Sequence, residues 1–128
     1  MSEWRWISAE ATTAIHEEQL AEHGGAAGTR DEGGLHSALA RPQNLAAYGE
    51  PDVAALATAY AFGIVRNHPF VDGNKRIGWI LARLFLAKNG IQLDFDEADA
   101  VVRMLALAAG EISEDEFAQW LREHVRAS

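Results

Sequence analysis

Between two strongly apolar segments, Val53–Val65 and Ile77–Ala87, the chain places Arg66-Asn67-His68-Pro69-Phe70-Val71-Asp72-Gly73-Asn74-Lys75-Arg76. These eleven residues gather an imidazole, a carboxylate, amide groups and three cations. Polar groups set between two buried elements must stay hydrated or find partners; left without either, each costs roughly 2–7 kcal/mol. A functional site is the leading explanation for a knot of this kind.

The rest of the composition bounds what that site can be. A chain of 128 residues fits one domain, 1–128, and 48% hydrophobic residues are enough for a core without staples. The absence of cysteine excludes disulfides and thiolate metal sites. Met1-Ser2-Glu3-Trp4-Arg5-Trp6 lacks the basic start and apolar run of a signal peptide, and no apolar run reaches membrane-spanning length. The expectation is a cytoplasmic protein without a membrane partner. The net charge of −8, from 11 basic and 19 acidic residues, argues against direct nucleic-acid binding. Arg66, Lys75, Arg76, Arg83 and Lys88 nevertheless share one segment whose only acid is Asp72. A local cationic site in an acidic protein suits a small anion such as a nucleotide phosphate.

Signals along the chain predict an all-helical domain of five or six helices. Ser8 caps a helix from about Ala9 to Glu22, with Ile15 and Leu20 on one face, stopped by Gly24-Gly25. Trp4 and Trp6 alternate with polar neighbours and suggest a short extended piece. The glycine-rich stretch 24–34 reads as a mobile loop, followed by a short helix, Leu35–Ala40, ending before Pro42. Pro51-Asp52 starts a long helix through Val65, apolar nearly all round and therefore central. Pro69 and Gly73 make the polar knot a loop between two central buried helices. The second runs from Asn74 to Lys88 and stops at Asn89-Gly90. A connector at Ile91–Phe95, a helix at Glu97–Ala109 stopped by Gly110, and a last helix capped by Ser113 with Glu116 and ending near Val125 complete the chain.

Within the knot, Asn74 opens a helix whose first backbone N–H groups lack intrahelical partners, so they form an anion seat together with the helix dipole. Gly73 allows close approach to the backbone, and Lys75 and Arg76 add charge around the same point, a description that suits a di- or triphosphate. Asp72 is a hard oxygen ligand beside the seat, and magnesium typically takes one or two carboxylates plus substrate phosphates. The alternative is that Asp72 caps the following helix. His68 has the chemistry of a general base near neutral pH. Base, metal and phosphate cradle together describe phosphoryl or nucleotidyl transfer. Arg66, two residues before the histidine, is a weaker candidate for phosphate contact. The spacing matches neither a Walker A loop nor a zinc site. Trp79 and Trp120 read as packing residues, Arg83 and Lys88 as solvated or paired, and His16, His23, His36 and His124 as surface residues.

The run His68-Pro69-Phe70-Val71-Asp72-Gly73-Asn74-Lys75-Arg76 closely resembles the Fic/Doc family motif, His-x-Phe-x-(Asp/Glu)-Gly-Asn-Gly-Arg, with one departure in nine positions. Lys75 stands where typical Fic adenylyltransferases have glycine, and Trp79 replaces a second motif arginine. Lysine at that position resembles the Doc branch, the death-on-curing toxins of bacterial toxin–antitoxin pairs. His23-Gly24-Gly25, 28–31, Arg41-Pro42-Gln43 and 109–113 also resemble Doc-type sequence, so the likeness covers nearly the whole chain.

The resemblance implies the compact helical Fic fold and a protein kinase that uses ATP and Mg2+ to phosphorylate a threonine of elongation factor Tu. In this role His68 deprotonates the target hydroxyl, Asp72 holds magnesium, Gly73 and Asn74 seat phosphate, and Lys75 and Arg76 neutralise charge, with Phe70 turned into the core. The lysine fills space beside the phosphates, so the nucleotide is expected to bind reversed, with its γ-phosphate toward the acceptor. Many Fic proteins carry an inhibitory Ser/Thr-x-x-x-Glu-Gly or Glu-Asn segment; here Thr29 to Gly33 is one residue short. Regulation by a separate Phd-like antitoxin is the resulting expectation. The alternatives are an adenylyltransferase acting on a protein hydroxyl, and a catalytically silent nucleotide- or protein-binding module.

Overall fold

The computed structural model describes residues 3–127 and bears out the all-helical expectation. Its helices are α1 (Ala9–His23), α2 (Glu32–Tyr48), α3 (Val53–Asn67), α4 (Asn74–Lys88), α5 (Glu97–Ala109) and α6 (Glu114–Arg122). Two short strands, β1 (Ile91–Leu93) and β2 (Val125–Ala127), pair antiparallel, with Leu93 opposite Val125. The predicted last helix therefore ends early: after Arg122 the backbone turns out to join β1 instead of continuing to Val125.

Helix α3 is the axle of the fold. Nine of its residues are buried, and α2, α4, α5 and α6 all pack on it. Its small residues let neighbouring backbones come close. A Cβ at Gly63 would lie 3.1 Å from both Cα and O of Ala38 in α2, so only glycine fits there without moving a helix. Pro42 lies inside α2, buried, and the helix runs through it from Glu32 to Tyr48. Proline withholds the N–H that the carbonyl four residues back would have taken, which is that of Ala38. Packing of α2 along α3 keeps the helix going where the local signal predicts a stop.

The core gathers Tyr60, Phe70, Phe85 and Phe117 with Leu56, Ile64, Ile77 and Leu81. Trp4 and Trp6 form no strand; both rings lie against Phe85, with centroids 5.9 and 5.7 Å away. The Ile7 N–H donates to the Tyr60 hydroxyl at 2.9 Å, and burial pushes that phenol's pKa up. Trp79 packs edge-on to Phe95 and Phe117 and beside Trp120, as expected of a packing residue.

Asp52 ties the start of α3 to the end of α6. Its Oδ1 accepts from the Ala55 N–H at 2.9 Å, and its two oxygens take Nε and Nη2 of Arg122. The Arg122 hydrogen bond holds its carboxyl below the usual carboxylate pKa. A lowered folded-state pKa means that the stabilisation is complete above the ordinary carboxylate range. It is lost as pH falls through the lowered value. Asp52→Ala should therefore reduce unfolding free energy by about 1–2 kcal/mol at pH 7, the usual worth of such a cap. In denaturant titrations the gap from the parent protein should close in strong acid. A variant as stable as the parent at pH 7 would contradict this.

Candidate active site

Helix α3 ends because His68 turns into the left-handed region, φ 52° and ψ 52°, with its N–H on the Ile64 carbonyl at 3.0 Å. It is the one non-glycine residue with positive φ among those described. Left-handed backbone costs an L-residue about 1–2 kcal/mol, so neighbours must hold it. Arg30 does so: its Nε and Nη2 donate to the His68 carbonyl at 3.1 and 2.7 Å. The stretch expected to be a mobile loop is instead a strap. Thr29 bridges Phe70 in antiparallel fashion. The N–H groups of Arg30 and Asp31 reach the Pro69 carbonyl at 2.7 and 3.0 Å, and Val71 N–H reaches Gly28 O at 3.1 Å. The next helix begins at Glu32, capped by Asp31 on Gly34 N–H.

Asn74 fixes the loop from inside. Only 4% of it is exposed. Its Oδ1 accepts from Phe70 N–H at 3.0 Å, and its Nδ2 donates to Phe70 O at 2.9 Å. Phe70 is fully buried, as expected. The amide is thereby oriented, and its NH2 group also faces His68 Nδ1 at 3.2 Å. An N–H directed at Nδ1 places the proton of the neutral ring on Nε2.

Gly73, at φ 83°, starts α4 without a side-chain cap. The first bond onto the helix is Ile77 N–H to Gly73 O at 2.9 Å. The backbone N–H groups of Asn74, Lys75 and Arg76 have no acceptor among the described residues. Asp72 does not cap them. Its Oδ1 takes Gly73 N–H at 2.8 Å, and its Oδ2 lies 3.4 Å from Ala26 N. Gly25 roofs that carboxylate at φ 117°, where a Cβ would fall 2.8 Å from Asp72 Oδ2.

His68, Asp72, Gly73, Asn74, Lys75 and Arg76 thus line one cleft of about 510 Å³, walled by His16, Gln19, Leu20 and His23 of α1. Another cleft, about 400 Å³, meets it at His68, Asn74 and Lys75 and is lined by Val65, Leu105, Ala108, Ala109 and Glu111. The imidazole stands on the ridge between the two hollows. Arg66 is not part of either. Its guanidinium lies 5.7 Å from the Phe62 ring and lines a groove between α2 and α3.

Two contributors escaped sequence reasoning. Arg30 sits in a polar loop with nothing local to mark it. His16 was expected at the surface but is 3% exposed and faces Phe70 and Asp72; the surface reading holds for His23 and His36. His124 is half-buried, its Nδ1 2.7 Å from Trp120 O. Periodicity counts apolar residues such as Ile15, and so passes over Thr12 and His16, the residues that α1 buries most deeply.

Fold and site define a small helical domain whose chemistry-bearing loop joins two buried helices. The chain belongs to the Fic/DOC family, whose model matches residues 6–86. It is 35% identical over 119 residues to the protein kinase Doc of Escherichia phage P1, covering 92% of this chain and 94% of that protein. It is also 46% identical over 78 residues to the toxin Doc of Mycolicibacterium smegmatis, covering 57% of this chain and 59% of that one.

Arg30 is exposed, so Arg30→Ala should change stability by less than about 1 kcal/mol. The strap should loosen nonetheless. Hydrogen exchange at Val71 and Asp31 is expected to accelerate about tenfold, against little change in the α3 interior. Unaltered exchange at both would show that the guanidinium holds nothing.

Proposed function

We propose that the polar cleft binds the polyphosphate of ATP and that the chain transfers its γ-phosphate to a protein hydroxyl. The observation that carries this reading is the opening of α4: three N–H groups without an acceptor among the described residues, flanked by Lys75 and Arg76, with an exposed imidazole alongside. Such an array stabilises negative charge without rearranging, because its donors are already in place. Likeness to a relative named as a protein kinase supports the same assignment.

The donor set fits a magnesium ion. Among the described residues there is no cluster of three His, Cys, Asp or Glu for a closed metal cage. One carboxylate beside a phosphate seat is what a phosphate-bridging cation needs. Asp72 would hold the ion, which would supply neutralising charge for the phosphate oxygens. Gly73 and the backbone of Asn74 seat those oxygens, while Lys75 and Arg76 offset the charge that develops as the bond to the leaving ADP breaks. The acceptor oxygen forms the new bond to phosphorus, and its proton passes to His68.

That last step sets a condition on the histidine. While Asn74 donates to Nδ1, the ring carries its proton on Nε2 and offers no lone pair there. His68 acts as base once this contact is released, through either nitrogen. Because the ring is exposed, turning it disturbs no core packing.

The protein substrate in this reading is a translation factor, elongation factor Tu on its threonine, and the chain is a toxin held in check by a Phd-like antitoxin. No helix among the described residues is long and apolar enough to cross a membrane. The second reading is transfer of AMP. The side chain at position 75 favours the first, since it occupies space beside the seat that glycine would leave open.

ATP labelled separately at the α and γ phosphates distinguishes the two. The expected result is γ-label on the acceptor, reduced at least about 100-fold by His68→Ala, the usual worth of a positioned base. Label from the α position would overturn the kinase reading. Transfer or toxicity undiminished in His68→Ala would overturn the role of the base.

A further inference from the structure

We infer that His16 is a positioning residue for the Asp72–Gly73 turn, and through it for the phosphate seat; this rests on the reading of the polar cleft given above. Helix α1 buries two residues, Thr12 and His16. Thr12 satisfies its hydroxyl locally, on Ser8 O at 2.9 Å. His16 instead reaches out of its helix. Its ring lies flat on Phe70, with centroids 3.9 Å apart and planes inclined by 14°. Its Nε2 is 2.9 Å from the Asp72 carbonyl oxygen. A carbonyl only accepts, so the ring nitrogen donates and its proton is on Nε2.

The peptide that this bond grips is the hinge of the site. The Asp72 carbonyl and the Gly73 N–H belong to one planar unit, so fixing the oxygen fixes the direction of the N–H. That N–H in turn holds Asp72 Oδ1 at 2.8 Å. Gly73 begins α4 at positive φ, and glycine crosses between positive and negative φ at little cost. A turn made of Asp-Gly therefore has a competing conformer with the peptide flipped. In that conformer the Gly73 N–H leaves Asp72 Oδ1 and turns away from it, so the carboxylate at the head of α4 loses its shorter tether. One buried hydrogen bond from α1 removes the alternative. The Phe70 stack makes the grip directional, because a ring held flat presents its nitrogen at one place only. His16 is thus no reacting group; it keeps the carboxylate and the amide array in register.

The test compares His16→Leu, which keeps an apolar contact with Phe70 but has no N–H, with His16→Gln, which retains a donor of similar reach. Binding of Mg2+ with a nonhydrolysable ATP analogue is followed by calorimetry. Exchange of the Gly73 amide is followed by NMR in the protein alone. His16→Leu should bind about tenfold or more weakly and exchange Gly73 about tenfold faster, as for loss of one buried hydrogen bond. His16→Gln should remain within about threefold of the parent in both. Gly73 exchange unchanged in His16→Leu, or equal losses in the two variants, would overturn the inference. A parent protein that binds no Mg2+–nucleotide would instead overturn the reading of the cleft, and the exchange comparison still decides the lock. Should His16→Leu fail to fold, 15N-labelled histidine in the parent decides. A slowly exchanging Nε2–H on His16 is expected, and a ring protonated only at Nδ1 would overturn it.

Discussion

The site depends on one buried amide. Asn74 closes a two-bond ring with the Phe70 backbone, joining the first residue of α4 to the middle of the loop that precedes it. The loop thereby satisfies its own polar groups internally and drives the Phe70 ring into the core as an anchor. The Asn74 side chain is used in doing so, and that residue's backbone N–H has no acceptor among the described residues. The same amide faces His68, so the order of the loop and the state of the imidazole are linked through one side chain.

Around this clamp the work is divided by burial. Aromatic and aliphatic groups below the loop are closed to solvent, while Asp72, Lys75, Arg76 and His68 stand at the surface. What must not move is the backbone, and three separate elements hold it: the strap 28–31 with Arg30, the Gly25–Ala26 roof over Asp72, and α1 through His16. The strap and α1 hold peptide carbonyls, whereas the roof lies on the Asp72 carboxylate. Strain at His68 and freedom at Gly73 are the two backbone features most in need of such support, and both are met by bonds to carbonyls.

Much of this was legible in the sequence because it is written locally. Ser8, Asp52 and Ser113 cap their helices through their side chains, Gly24 and Gly110 end theirs at positive φ, and Asn89 ends α4. The motif residues His68, Asp72, Gly73, Asn74, Lys75 and Arg76 meet in one cleft because they are adjacent along the chain. What failed was set by tertiary contact. Pro42 reads as a stop, but packing against Gly63 carries α2 through it. The last helix is expected to run to about Val125, but it ends at Arg122 and Val125–Ala127 pair with β1. Arg66 sits close to His68 in sequence, yet the last turn of α3 points it at Phe62 on another face. His16 looks solvated until α1 is laid against the loop.

The central claim is that the unpartnered amides opening α4 receive phosphate oxygens under the His68 ring. A crystal structure with Mg2+ and a nonhydrolysable ATP analogue tests it most directly. The account predicts phosphate oxygens within about 3 Å of the backbone nitrogens of Asn74, Lys75 and Arg76, with the γ-phosphate nearest His68. Polyphosphate bound instead in the groove beside Arg66, with those three nitrogens facing only solvent, would contradict it.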